Sequence, residues 1–170
     1  MLTLGDVWAI TAVIVGVAVC AWAFLLCLAL VFPRRTEFAR AAIEFRPGKQ
    51  LLIGFIVTAI ASTLGVMLLS APNGVIKLFG WIVLLGLTAI SFTGTAGLVS
   101  LAGERVQRLD HSLSGYGSLS RGALFVVLPA VMPLLGWFLY APVVFCIGVG
   151  AGLKAIGMKE PVPVAVPVEA

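Results

Sequence analysis

At 170 residues, 61% hydrophobic and only 11% charged, the chain lacks the polar surface to cover an ordinary soluble fold, which runs about half apolar and about a quarter charged. Lipid removes that constraint, so the composition points to one integral membrane domain without a sizeable soluble one. The net charge of +4 does not point to nucleic acid, because the basic residues sit beside apolar runs, where they set topology and face anionic lipid.

The first predicted span, 7–32, carries no charge and exceeds the roughly 20 residues needed to cross the hydrocarbon core. The preceding MLTLGD has Asp6 and no basic residue, unlike a cleavable signal peptide. Arg34 and Arg35 follow directly, which holds that end of the span in the cytoplasm and places the N-terminus outside. Over 34–46, Phe38, Ala41, Ala42 and Phe45 recur at helical spacing among Arg34, Arg35, Arg40 and Arg46. That is the pattern of an interfacial amphipathic helix, ended by Pro47-Gly48.

Two further spans, 51–70 and 78–102, are joined by Ala71-Pro72-Asn73-Gly74, a turn in which Asn-Gly tolerates positive φ. Lys77 is the one basic residue near its tip, and Glu104-Arg105 reads as a charged stop at the inner surface. The Ser/Gly-rich 112–120 stretch, SLSGYGSLS, is expected to be a mobile loop.

Gly122 to Leu153 runs 32 residues without a charge, long for one span and short for two. Pro129, Pro133 and Pro142 interrupt it, so it is either one kinked helix or a hairpin of two spans, 120–134 and 137–156, turning near Pro133 to Gly136. A hairpin puts ten of the eleven Lys/Arg inside; a single span gives eight against three. The positive-inside bias favours the hairpin. Gly80-Trp81 before Ala96-Gly97-Leu98, and Gly136-Trp137 before Ala151-Gly152-Leu153, add a faint internal echo at nearly equal spacing. The expected fold is therefore an all-α integral membrane protein with about five hydrophobic segments, the last two a proline-broken hairpin, and a cytoplasmic C-terminus. The closing 157–170 alternates Pro and Val and is expected to be extended.

Little in the sequence carries chemistry. The sole histidine, His111, lies beside Asp110 in a polar loop, and Cys20, Cys27 and Cys146 lie inside apolar runs as packing residues. No enzyme, metal or cofactor is expected. No charge falls in mid-span, unlike ion pumps and proton-coupled carriers. Thr88, Ser91 and Thr95 share a face, as do Thr58 and Ser62; they either line a polar path or bond backbone and neighbouring helices. Ala12, Gly16 and Cys20 repeat at intervals of four, as do Thr93 and Gly97, and Gly148 and Gly152. That spacing marks Gly16, Thr93, Gly97, Gly148 and Gly152 as helix-packing positions. Arg34, Arg35, Arg40, Arg46, Lys49, Arg105 and Arg108 are the candidate lipid- or partner-facing basic residues. Trp8, Trp81 and Trp137 fall near predicted outer ends, as an aromatic belt requires.

Arg46-Pro47-Gly48-Lys49 before Leu51-Leu52-Ile53-Gly54, then Gly103-Glu104-Arg105-Val106, Leu128-Pro129, Pro133 to Trp137 and Gly148 to Leu153, give 46–156 a resemblance to the membrane domain of bacterial bactofilin-like, polymer-forming cytoskeletal proteins. Those proteins also carry a repeat-rich β domain, which this sequence lacks. The resemblance implies a module of the bacterial inner membrane and transfers neither polymer formation nor an activity. The expected function is a non-catalytic accessory or anchoring subunit of a larger membrane complex, partnered by other subunits or by its own copies. The alternative is a passive channel or small-solute transporter.

Overall fold

A computed structural model describes residues 4–132 and 134–157. Six α-helices make up the bundle: α1 (Leu4–Val31), α2 (Pro33–Phe45), α3 (Pro47–Leu69), α4 (Gly74–Leu109), α5 (Gly115–Val131) and α6 (Ala141–Gly157). A π-helical turn, Gly136–Tyr140, leads into α6, and there is no strand among the described residues. Four stretches are long and apolar enough to cross a membrane: Trp8–Val31, Pro47–Leu69, Gly74–Leu109 and Gly136–Gly157. α5, at 17 residues, reaches about 26 Å and falls short of that length. The large apolar side chains of the four long stretches mostly face outward, as lipid-facing surfaces do: Trp8, Val13, Phe55, Ile60, Trp81, Leu85 and Phe138 are all exposed.

The long α4 is the axis. Its 36 residues extend about 54 Å, and all five other helices contact it. Close approach comes from missing side chains. A Cβ added at Gly80 would lie 3.0 Å from Gly65 O on α3, and one at Gly97 2.6 Å from Ala39 Cβ on α2. One at Gly103 would lie 2.9 Å from Ser118 O on α5, and one at Gly94 would overlap the Gly148 carbonyl on α6. Helices in lipid gain no hydrophobic energy by touching, so backbone-to-backbone van der Waals contact does the holding, and glycine admits it. Larger side chains fill a smaller core, where Leu25 and Leu26 of α1 meet Val99 of α4 and Ala123, Val126 and Val127 of α5. Phe24 packs edge-on against Phe92, with ring centroids 5.1 Å apart.

The 34–46 helix is present as α2. Thr36, Ala39, Ala42 and Ile43 are buried, Phe38 packs beside them, and Phe45 is 81% exposed. Ala39 meets Gly97 of α4, where a small side chain permits close approach. Two local expectations need correction. The 112–120 stretch is helical from Gly115 onward. Ser114 caps α5 by accepting the Gly117 N–H at 3.2 Å, and Ser118 is buried against Gly103. The turn after α3 is made without positive φ: Asn73 is extended and no described residue has φ in the left-handed region.

The proline-rich segment is broken. Met132 leaves α5 with ψ 118, and Gly136 packs under the carbonyls of Pro129 and Ala130. Tyr140 donates its hydroxyl to Val126 O at 2.9 Å, which ties the π turn to α5. α5 and α6 each pack on α4. Pro133 and the Pro/Val stretch from Met158 lie outside the described residues.

A basic cavity at one end of the bundle

The polar residues gather where α2 begins and ends, α3 begins, and α4 and α6 end. Glu104 of α4 is the centre of one cluster. It pairs with Arg40 of α2 and, one turn along its own helix, with Arg108 at 3.2 Å. Glu104 thus also clamps two helices together, and α4 continues past it to Leu109. A second cluster closes the α4–α5 loop. Asp110 accepts the Ser112 hydroxyl at 2.5 Å and its N–H at 3.2 Å, and Arg121 lies 3.6 Å away. The Ser112 hydroxyl, then its N–H, then the Arg121 charge hold this carboxyl below its ordinary value.

Between α2, α3 and α6 is a cavity of about 500 Å³. Arg46 and Lys49 line it at the start of α3, and Lys154 lines it from the last turn of α6. Ala42, Phe45, Ile53, Gly150 and Leu153 supply apolar walls, and Gln50 completes the lining. α3 begins at Pro47, a residue suited to the first turn of a helix, and leaves its first N–H groups without intrahelical acceptors beside the three cations. None of the three has an ion-pair partner among the described residues, and no acid lines the cavity. Gln50 is only 3% exposed, yet its Oε1 has no hydrogen-bond partner. A buried acceptor left unmade costs roughly 1–3 kcal/mol. Gln50 is held there because Gly150 of α6 packs directly on its backbone carbonyl.

The candidate basic residues thus divide. Arg46 and Lys49 line the cavity. Arg40 and Arg108 are engaged by Glu104. Arg34 and Arg105 are exposed, and Arg35 is exposed with its guanidinium 5.9 Å from the Phe32 ring centroid. Lys154 and Gln50, which complete the cavity, were not among the candidates. Nothing local marks Lys154, which lies some hundred positions from Lys49 in the chain and meets it only through the fold. Gln50, a lone amide at the head of an apolar run, was the available signal.

The small-residue candidates divide too. Gly148 and Gly152 pack on the Ser91 and Ile90 backbone of α4, and Gly97 packs on α2. Thr93 is half-buried and donates to Ala89 O of its own helix at 2.9 Å. Gly16 has nothing within 4 Å, and Ala12 and Cys20 beside it are exposed. The hydroxyl faces are mostly consumed within the protein. Thr88 bonds Leu84 O, Thr95 bonds Ser91 O, and Ser91 bridges to Phe145 O on α6 at 3.1 Å. Ser62 bonds Ala59 O, while Thr58 Oγ1 is buried without a partner. The described residues contain no group of three or more His, Cys, Asp or Glu able to hold a metal. No protein-family model, curated protein or solved structure matches the chain.

Proposed function

We propose that the chain is a non-catalytic integral membrane protein of the bacterial inner membrane, acting as an accessory or anchoring subunit of a larger assembly. In this reading it crosses five times, through α1, α3, α4, the short α5, and the π turn with α6. The N-terminus lies outside, and the basic end of the bundle is cytoplasmic, with α2 packed beneath the spans. The broken backbone at Met132 and the gathering of Arg34 to Lys49, Arg105, Arg108, Arg121 and Lys154 toward one end support that topology. With a cysteine placed at Gly157, in a chain otherwise free of cysteine, an impermeant maleimide is expected to label inside-out vesicles and not intact spheroplasts. Labelling from outside would reduce the count to four spans.

The observation that carries the subunit role is the exposed apolar surface of the N-terminal half of α1. The helix joins the core from Ala18 onward, through Ala21, Trp22, Leu25 and Leu26, with Trp22 Nε1 donating to Ser120 O at 3.1 Å. N-terminal to that, Trp8, Ile10, Val13, Val15 and Val17 are all more than half exposed, and Ala12, Gly16 and Cys20 form a smooth exposed strip, with nothing within 4 Å of a Cβ placed at Gly16. Small residues four apart at this depth are the surface on which another membrane helix packs closely. Cys20 lies on that strip, which makes the association directly measurable. Mild oxidation in native membranes is expected to yield a Cys20-dependent cross-link, and mild-detergent purification a species larger than the monomer. A strictly monomeric, uncross-linked protein would refute the assignment. The passive-pore alternative draws less support, since the Thr88, Ser91 and Thr95 hydroxyls are already bonded.

A further inference from the structure

We infer that the cavity between α2, α3 and α6 is a binding site for the headgroup of an anionic glycerophospholipid, one carrying a phosphodiester and a free hydroxyl, as phosphatidylglycerol does. Four observations converge on that chemistry. Arg46, Lys49 and Lys154 bring three cations from two helices to one cavity that no acid lines, while Arg40, Arg108 and Arg121 nearby are paired. The unbonded N–H groups at the start of α3 face the same end and favour an anion. Gln50 lines the cavity and is 97% buried, and its Oε1 has no partner and is closed to solvent, so a headgroup hydroxyl satisfies it once the amide turns toward the cavity, which a bare phosphate diester, having no donor, does not. Turned about its last bond, the same amide offers its N–H₂ to the phosphate instead.

Phe45, Ile53 and Leu153 make the rest of the wall apolar, and α3 leads from Ile53 directly into the exposed Phe55 and Ile56 of its outer face. An occupant with a polar head among the cations can thus lay its acyl chains along α3. A soluble anion would leave those apolar residues unused, which is why the lipid is the favoured source. The volume of about 500 Å³ lies within the roughly 300–1,000 Å³ typical of small-molecule sites. The site needs the membrane topology proposed above but no partner subunit, so it stands or falls independently of the α1 assignment.

The test is native mass spectrometry of the full chain, exchanged from mild detergent into mixed micelles holding equal phosphatidylglycerol and phosphatidylcholine. One phosphatidylglycerol is expected to be retained in preference. Each basic residue near a membrane surface contributes about fivefold in attraction for anionic lipid, so Arg46→Gln/Lys49→Gln/Lys154→Gln together are expected to weaken retention about a hundredfold. Arg34→Gln/Arg35→Gln/Arg105→Gln removes the same charge from exposed positions outside the cavity and is expected to leave retention within about fivefold of the parent. All six positions are surface-exposed, so both triple variants are expected to fold, with thermal unfolding as the check. Gln50→Leu is expected to abolish the preference for phosphatidylglycerol over phosphatidylmethanol, a diester of the same charge with no free hydroxyl, while keeping anion binding. Equal losses in the two triple variants would reduce the cavity to general surface charge and overturn the site. Displacement of the lipid by millimolar inorganic phosphate or glycerol 3-phosphate would assign it to a soluble anion and overturn the lipid.

Discussion

Replacing Gly94 by alanine is expected to cost roughly 1–3 kcal/mol, and replacing it by leucine to abolish the folded bundle. The reason is the identity of the neighbour. A Cβ on Gly94 meets the backbone carbonyl of Gly148, 2.7 Å from its carbon, and backbone cannot swing aside as a side chain would. To admit even one methyl, α4 and α6 must separate. That separation also loosens Ser91 from Phe145 O and unseats Gly148 and Gly152 from the Ser91 and Ile90 carbonyls. Because α4 touches every other helix, the displacement is not confined to one interface. Gly86 is the control: it lies on the same helix with nothing within 4 Å, so Gly86→Ala is expected to be neutral or to stabilise by up to about 1 kcal/mol through helix propensity. Unfolding in mixed detergent–SDS micelles, followed by tryptophan fluorescence, reads both changes. Equal behaviour of Gly86→Ala and Gly94→Ala would show that close approach at Gly94 is not what holds α6 to α4.

That contrast marks where sequence reading ends. Membrane integration was legible from composition alone, because no soluble surface could be built from 11% charged residues. The prolines were a weaker guide, since Pro129 and Pro142 lie inside α5 and α6. Spacing of small residues located real contacts at Gly97, Gly148 and Gly152, but it missed Gly54, Gly80, Gly94, Gly103 and Gly122. Gly80, Gly94 and Gly103 have no small residue four positions away, so no spacing records them, whereas Gly54 with Thr58 and Gly122 with Ser118 carried the spacing and were passed over. The same blindness hid the cavity: Lys49 and Gln50 are adjacent in sequence, but Lys154 joins them only once Gly150 has packed on the Gln50 backbone. On α2, both a large residue, Ile43, and small ones, Ala39 and Ala42, are buried, and Ala39 meets Gly97 of α4.

Gly16 shows the other outcome of the same motif and gives the second large expectation. Gly16→Leu should leave the monomer's unfolding unchanged or stabilise it by up to about 1 kcal/mol through helix propensity, because a Cβ there meets nothing in the chain itself. It should nevertheless weaken association, since a leucine on the smooth Ala12–Gly16–Cys20 strip holds a partner helix away. Overpacking of this kind costs roughly 1–3 kcal/mol, about tenfold to a hundredfold in the association constant. Energy-transfer measurements between labelled copies in liposomes, and recovery of partner proteins from native membranes, separate self-association from a different subunit. Val13 serves as the comparison. It is 65% exposed and outside the small-residue strip, so Val13→Leu is expected to change neither quantity. If Gly16→Leu lowers monomer stability as Gly94→Leu does, α1 packs within the bundle more closely than described. If it changes neither stability nor association, the exposed surface of α1 simply faces lipid, and the subunit role loses the observation on which it rests.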